Sequence, residues 1–140
     1  KLTEYVRADI EGGRAMTASQ YFEALSELEQ YRAYVSGFFS RYDVLMSPTL
    51  AVPAFAVGEP LTEIGGRSVD SRWGHYPFTF LFNMCGNPAA SVPCGLSGSG
   101  LPIGLQIVCA KGEDARVLQV SAAFEEARPW ADKRPPGFSD

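Results

Sequence analysis

The chain is short of the residue types that most soluble catalytic or scaffolded sites are built from. It has one histidine, three cysteines and three lysines among 140 residues. The three cysteines, Cys85, Cys94 and Cys109, all lie in apolar segments, at spacings that suit neither a disulfide framework nor a zinc site. Reduced, buried thiols and a cytoplasmic location follow as the expectation. No run approaches the roughly 18 apolar residues of a membrane span, and the N-terminus carries no signal-peptide pattern. Twelve Lys plus Arg stand against 16 Asp plus Glu with no basic stripe, so direct nucleic-acid binding has no electrostatic footing. Membrane and nucleic acid are therefore both excluded as expected partners.

What is present argues for a packed domain. Hydrophobic residues make up 46% and charged residues 20%, a balance that excludes disorder for most of the length. The size is that of one domain or a piece of one, and the start at Lys1-Leu2-Thr3-Glu4, with neither initiator methionine nor cap, points to the second. We expect residues 1–140 to form a single partial domain with an irregular tail over 128–140, where Pro135-Pro136-Gly137 falls.

Periodicity sets the expected elements. Leu2, Val6 and Ile10 predict a short helix over 1–11, stopped by Gly12-Gly13. Thr17 and Gln20 have the spacing of a capping box. Behind them Phe22, Leu25, Leu28, Val35, Phe39 and Tyr42 predict one apolar stripe on a helix ending near Arg41. Val44-Leu45-Met46 is a short continuous apolar run before Ser47-Pro48, which predicts a strand buried on both faces of a parallel or mixed sheet. Residues 51–75, rich in Pro and Gly, predict a long loop beside a site. A helix is expected over 77–84 with Pro77 in its first turn and Gly86 ending it. Two strands around 89–92 and 103–108 should pair antiparallel, and Glu113-Asp114 should open a last helix with Val117, Val120 and Phe124 buried, stopped by Arg128-Pro129.

No Ser–Lys pair of nucleophile and base can be assembled from these residues. His75 reads as a surface or packing histidine, and Cys94 as a buried structural thiol, although a Cys94/His75 thiol hydrolase remains a third-ranked reading. Gly95-Leu96-Ser97-Gly98-Ser99-Gly100 leads towards a strand, so it reads as a hairpin linker and not a phosphate cradle. Lys1, Lys111 and Lys133 lie in termini or turns, where nothing would desolvate an amine into a base. Glu113 with Asp114, and Glu125 with Glu126, read as solvated charges. What remains is an aromatic cluster, Trp73, Tyr76, Phe78, Phe80 and Phe82, either core packing, which composition favours, or one wall of a substrate pocket.

Several blocks in order carry a resemblance. They are Tyr42-Asp43-Val44-Leu45-Met46-Ser47-Pro48-Thr49, Phe78-Thr79 with Asn83 and Gly86-Asn87-Pro88-Ala89, Ser91-Val92-Pro93-Cys94-Gly95, and Gly100-Leu101-Pro102-Ile103-Gly104-Leu105-Gln106. Together, and on through Asp114 and Leu118 to Trp130, they resemble the C-terminal portion of amidase signature enzymes. The resemblance implies an α/β fold, part of an α/β/α sandwich on a mixed sheet, and carboxamide hydrolysis by a Ser–cis-Ser–Lys mechanism without a cofactor. Those reacting groups belong to the family's N-terminal portion, and the Gly-Gly-Ser-Ser-Gly-Gly block is absent here. The chain alone is therefore expected to be inactive. Positions around Thr79 line the acyl or leaving-group side in the family, which implies substrate contact by Trp73, Tyr76 and Phe80. Glutamine-using amidotransferases of the family place an acidic group at the position of Tyr76, so an amidotransferase assignment is disfavoured. The expected partners are a small-molecule amide and the N-terminal part of the same domain, with a homodimer left open. The runner-up reading is a non-catalytic binding or assembly module on the same fold, such as an amidotransferase-like component.

Overall fold

The computed structural model describes residues 2–133, so residues 134–140 of the expected tail lie outside the described residues. Two helices come first, α1 (Glu4–Ala15) and α2 (Ala18–Phe39), then strand β1 (Val44–Pro48). The loop that follows holds a two-residue pair, β2 (Glu63–Ile64) and β3 (Arg67–Ser68). Helix α3 (Phe80–Cys85), the hairpin β4 (Ala89–Leu96) and β5 (Pro102–Cys109), and helix α4 (Asp114–Ala127) complete the order.

The fold is α/β, and its centre is β5. In the three-stranded sheet the order is β1-β5-β4, and both pairings are antiparallel. The expected mixed sheet is thus represented here by antiparallel neighbours alone. Continuous hydrophobicity at residues 44–46 suggested burial on both faces, but Met46 is exposed and β1 is an edge among the described residues. Ile107, Val108 and Cys109 of β5 are fully buried, flanked by β1, β4 and the α4 helix. Val117 supplies the buried position of α4, with Val120 and Phe124 half-buried beside it, as the spacing predicts.

Local chemistry explains most boundaries. Thr17 Oγ1 accepts from the Gln20 amide and the Gln20 side chain accepts from the Thr17 amide, so the predicted capping box opens α2. Gly86 ends α3 in the left-handed region at φ 75°. The helix itself begins at Phe80, three residues after Pro77, with hydrogen-bonded turns between. Gly12 and Gly13 do not stop α1. Neither takes a positive φ, and the helix runs on to Ala15 at a cost of about 1 kcal/mol for each glycine. The predicted stripe of α2 is buried only at Val35, while Phe22 and Tyr42 are exposed. Phe38 stacks on Tyr42 at 4.7 Å and meets Phe39 edge-on, so the C-terminal end of α2 packs through rings.

Two polar features tie the sheet to the region before α3. Gln106, buried in the middle of β5, donates from Nε2 to Ser47 Oγ at 3.1 Å and to the Phe78 carbonyl at 2.8 Å. Gly104 leaves room on the same strand for Thr49 Oγ1 and Ser91 Oγ to share a 2.7 Å hydrogen bond. A Cβ at Gly104 would lie 2.6 Å from one hydroxyl and 2.8 Å from the other.

Candidate functional site

Between β3 and α3 the chain makes a tight turn at residues 70–74, and its residues account for how the aromatic side chains gather. The Asp70 carboxylate accepts from the backbone amides of Arg72 and Trp73, each at 2.8 Å. These two bonds hold its pKa below the ordinary carboxylate value. The Gly74 amide then donates to the Asp70 carbonyl at 2.8 Å. Glycine is required there, because a Cβ would fall 2.5 Å from Val69 Cβ and 2.7 Å from the Asp70 carbonyl. The turn presents Trp73 outward, 47% exposed, with Tyr76 and Phe80 half-buried behind it.

The three expected site residues come together. Trp73 meets Tyr76 edge-on at 5.6 Å between ring centroids and Phe80 at 6.4 Å. His75 packs between Phe55 at 5.2 Å and Tyr76 at 4.3 Å. Its Nδ1 is buried with no hydrogen-bond partner among the described residues. Thr79, whose hydroxyl donates to the Tyr76 carbonyl, closes the turn before α3. Phe78 contributes its carbonyl to Gln106 and leaves its ring exposed.

Other candidates fall away on geometry. The Cys94 thiol donates to the Ile103 carbonyl within the hairpin, whereas the His75 ring lies between Phe55 and Tyr76. Burial raises the pKa values of Cys85 and Cys109, so both remain thiols at neutral pH. All three cysteines are free. No group of His, Cys, Asp and Glu able to hold a metal occurs among the described residues. A separate cleft of about 440 Å³ lies at the far end of α3, lined by residues that include Arg32, Ser36, Cys85, Asn87 and Lys111. Arg32 there is already engaged with the Met84 carbonyl and Glu29, and the aromatic cluster is not part of that cleft.

The residues missed by pattern reading are Asp70, Arg72 and Gln106. Two of them left a signal. Asp70 stands two residues before Arg72 in a stretch followed by Gly74, the setting of an Asx turn. Gln106 is the one polar side chain in an apolar strand, and such a residue is buried only when bonded.

With this geometry in place, comparison with known proteins decides the family. The family described as Amidase matches residues 1–118. The chain belongs to the amidase signature family. An acylamidase of Rhodococcus erythropolis is 43% identical over 99 residues, covering 70% of this chain and 21% of that protein. A glutamyl-tRNA(Gln) amidotransferase component from Thermodesulfovibrio yellowstonii is 31% identical over 137 residues, covering 95% of this chain and 27% of its own. Among solved structures, a bacterial aryl acylamidase of the amidase signature family superimposes with a TM-score of 0.81 at 32% identity, over 96% of this chain and 29% of that one. The amidase fold assigned from the ordered blocks is therefore correct. The chain spans about a quarter of the length of the amidases it matches. No helix among the described residues is long and apolar enough to cross a membrane.

Proposed function

We propose that this chain is the C-terminal part of an amidase that hydrolyses a carboxamide C–N bond, and that it forms one wall of the substrate site while the reacting groups lie elsewhere in the polypeptide. The observation that carries the reading is the aromatic cluster itself. Trp73, Tyr76 and Phe80 present edge-to-face rings, and the central strand of the sheet is anchored through Gln106 to the Phe78 carbonyl between Tyr76 and Phe80. A half-exposed apolar wall of this kind holds the acyl or leaving group of an amide and excludes water around it. The wall holds no charged side chain among its three rings, which suits an aryl or alkyl amide better than a charged one.

The uncovered surface supports the incompleteness. Among the described residues β1 and β4 are free edges, and Phe22, Tyr34 and Leu118 are each at least 69% exposed. Such edges and side chains fit a place beside further strands and helices of the same domain. Their cover is the rest of the amidase domain, with a second copy of the chain as the competing occupant. The chain alone is inactive in this account. Three unpaired thiols fit a reducing compartment, and so the cytoplasm.

The amidotransferase relative gives a second reading, a component of a glutamine-using complex. Tyr76 stands against it, because a glutamine-using site needs an acidic group for the substrate's amino group. The test is a panel of aryl and alkyl carboxamides on the full-length protein, with glutamine included and a Tyr76→Ala variant alongside. A loss of preference for aryl over small amides in the variant, about tenfold for a well-packed ring, supports the wall. An unchanged profile refutes it.

A further inference from the structure

Helix α1 has no buried residue, and its specific tie to the rest of the described fold runs through Arg72. Arg72 Nη1 and Nη2 donate to the two carboxylate oxygens of Asp9, both at 2.8 Å, a fork that only a guanidinium makes. The same guanidinium carbon lies 4.8 Å from the centroid of Tyr5 and 4.6 Å from that of Trp73. Tyr5 and Asp9 are four residues apart, so both face Arg72 from one side of α1. From below, the Asp70 carboxylate fixes the amides of Arg72 and Trp73. Trp73 is thus held on its backbone by Asp70 and over its ring by Arg72.

We infer that Arg72 is a positioning residue for specificity: forked onto Asp9 and layered between Tyr5 and Trp73, it sets the position of the Trp73 indole at the substrate wall and makes α1 part of that wall's support. The inference rests on the reading that Trp73 meets substrate, and goes beyond it in assigning the function of α1 and of a charge outside the wall. An exposed ion pair alone would do little. Here, however, the charge pair also fixes the rotamer of a planar cation against two rings, and the stack transmits it to the one indole that faces outward. Lysine cannot replace it, because a point charge on a flexible stem neither forks nor stacks.

The test uses the full-length enzyme with acetanilide and acetamide as paired substrates. Arg72→Lys and Asp9→Asn are expected to raise KM for acetanilide about three- to tenfold, while kcat and the KM for acetamide stay unchanged. Asp9→Glu, which keeps the carboxylate, should recover most of the loss. In a Trp73→Ala background the same two substitutions should have no further effect, because their influence runs through the indole. A general loss of fold would instead move both substrates together, and would overturn the inference. So would an Arg72→Lys effect that persists undiminished without Trp73. If Trp73→Ala shifts the acetanilide preference but Arg72→Lys and Asp9→Asn do not, the inference fails while the wall stands. If Trp73→Ala and Tyr76→Ala both leave the preference unchanged, the wall fails and the inference with it.

Discussion

The β4–β5 hairpin and the Asp70–Tyr76 turn lie within one small fold, yet they are held by opposite means. The hairpin's central strand is dry: Ile107, Val108 and Cys109 are fully buried and its one polar side chain, Gln106, is bonded twice. The turn is wet. It is held by carboxylate-to-amide bonds, an exposed guanidinium fork and ring edges. The first arrangement depends on volume and is indifferent to ionic conditions. The second depends on charge, so it responds to pH and salt, and it leaves the rings accessible. Under the proposed function, a rigid strand beside an adjustable wall suits a site that must admit a substrate.

The sharpest way to break this contrast is Ile107→Ala. We expect a loss of about 2–5 kcal/mol in unfolding free energy, because a fully buried β5 residue leaves a cavity that the flanking strands cannot close. A denaturation midpoint unchanged from the parent would mean that the core lies elsewhere. Next in size is Gln106→Leu. It strands the Phe78 carbonyl, leaves the Ser47 hydroxyl only its bond to the Pro48 carbonyl, costs about 1–3 kcal/mol, and frees the Phe78 segment from the sheet. It should therefore lower both stability and aryl-amide turnover, where a purely apolar core would gain from leucine.

Acid separates the two regions directly. Asp9 is lowered by its bond to Arg72, and Asp70 by the amides of Trp73 and Arg72. A lowered carboxylate stabilises the folded state fully above its unfolded pKa, near pH 4, and the contribution is lost as pH falls through the lower folded value. Hydrogen-exchange protection, corrected for intrinsic rates, should thus fall in residues 4–15 and 70–76 below about pH 4 while residues 102–109 keep theirs. The smallest effect is expected at His75. His75→Phe keeps the ring between Phe55 and Tyr76 and removes a buried nitrogen without a partner among the described residues. Thermal unfolding should show no loss and a gain of up to about 1 kcal/mol. A clear loss would reveal a partner for Nδ1 in the rest of the domain.

The same contrast divides what was legible in the sequence. Features settled by neighbours in the chain were readable: the Thr17–Gln20 box, Gly86 at the end of α3, and the antiparallel pairing of β4 with β5. The β2–β3 hairpin, turned by Gly65-Gly66 at positive φ, goes unread, because residues 51–75 predict one long loop. Features settled by distant residues were not. β1 pairs with β5 across some sixty residues, from Ser47 to Gln106, so its apolar run could not disclose an antiparallel edge. Asp9 and Arg72 are 63 residues apart, and neither stands in a motif. The α1 helix ran past two glycines because propensity is a weak constraint beside a regular helical path. At the site, composition alone favoured core packing, and only the ordered blocks shared with amidases turned Trp73, Tyr76 and Phe80 towards substrate.

The most direct measurement is a crystal structure of the full-length protein with a non-hydrolysable aryl amide. Aryl carbons should lie within about 4 Å of the Trp73, Tyr76 and Phe80 rings, with the nucleophile supplied from outside this chain. A bound amide that touches none of the three rings, or one attacked by a side chain of this segment, would contradict the substrate-wall reading.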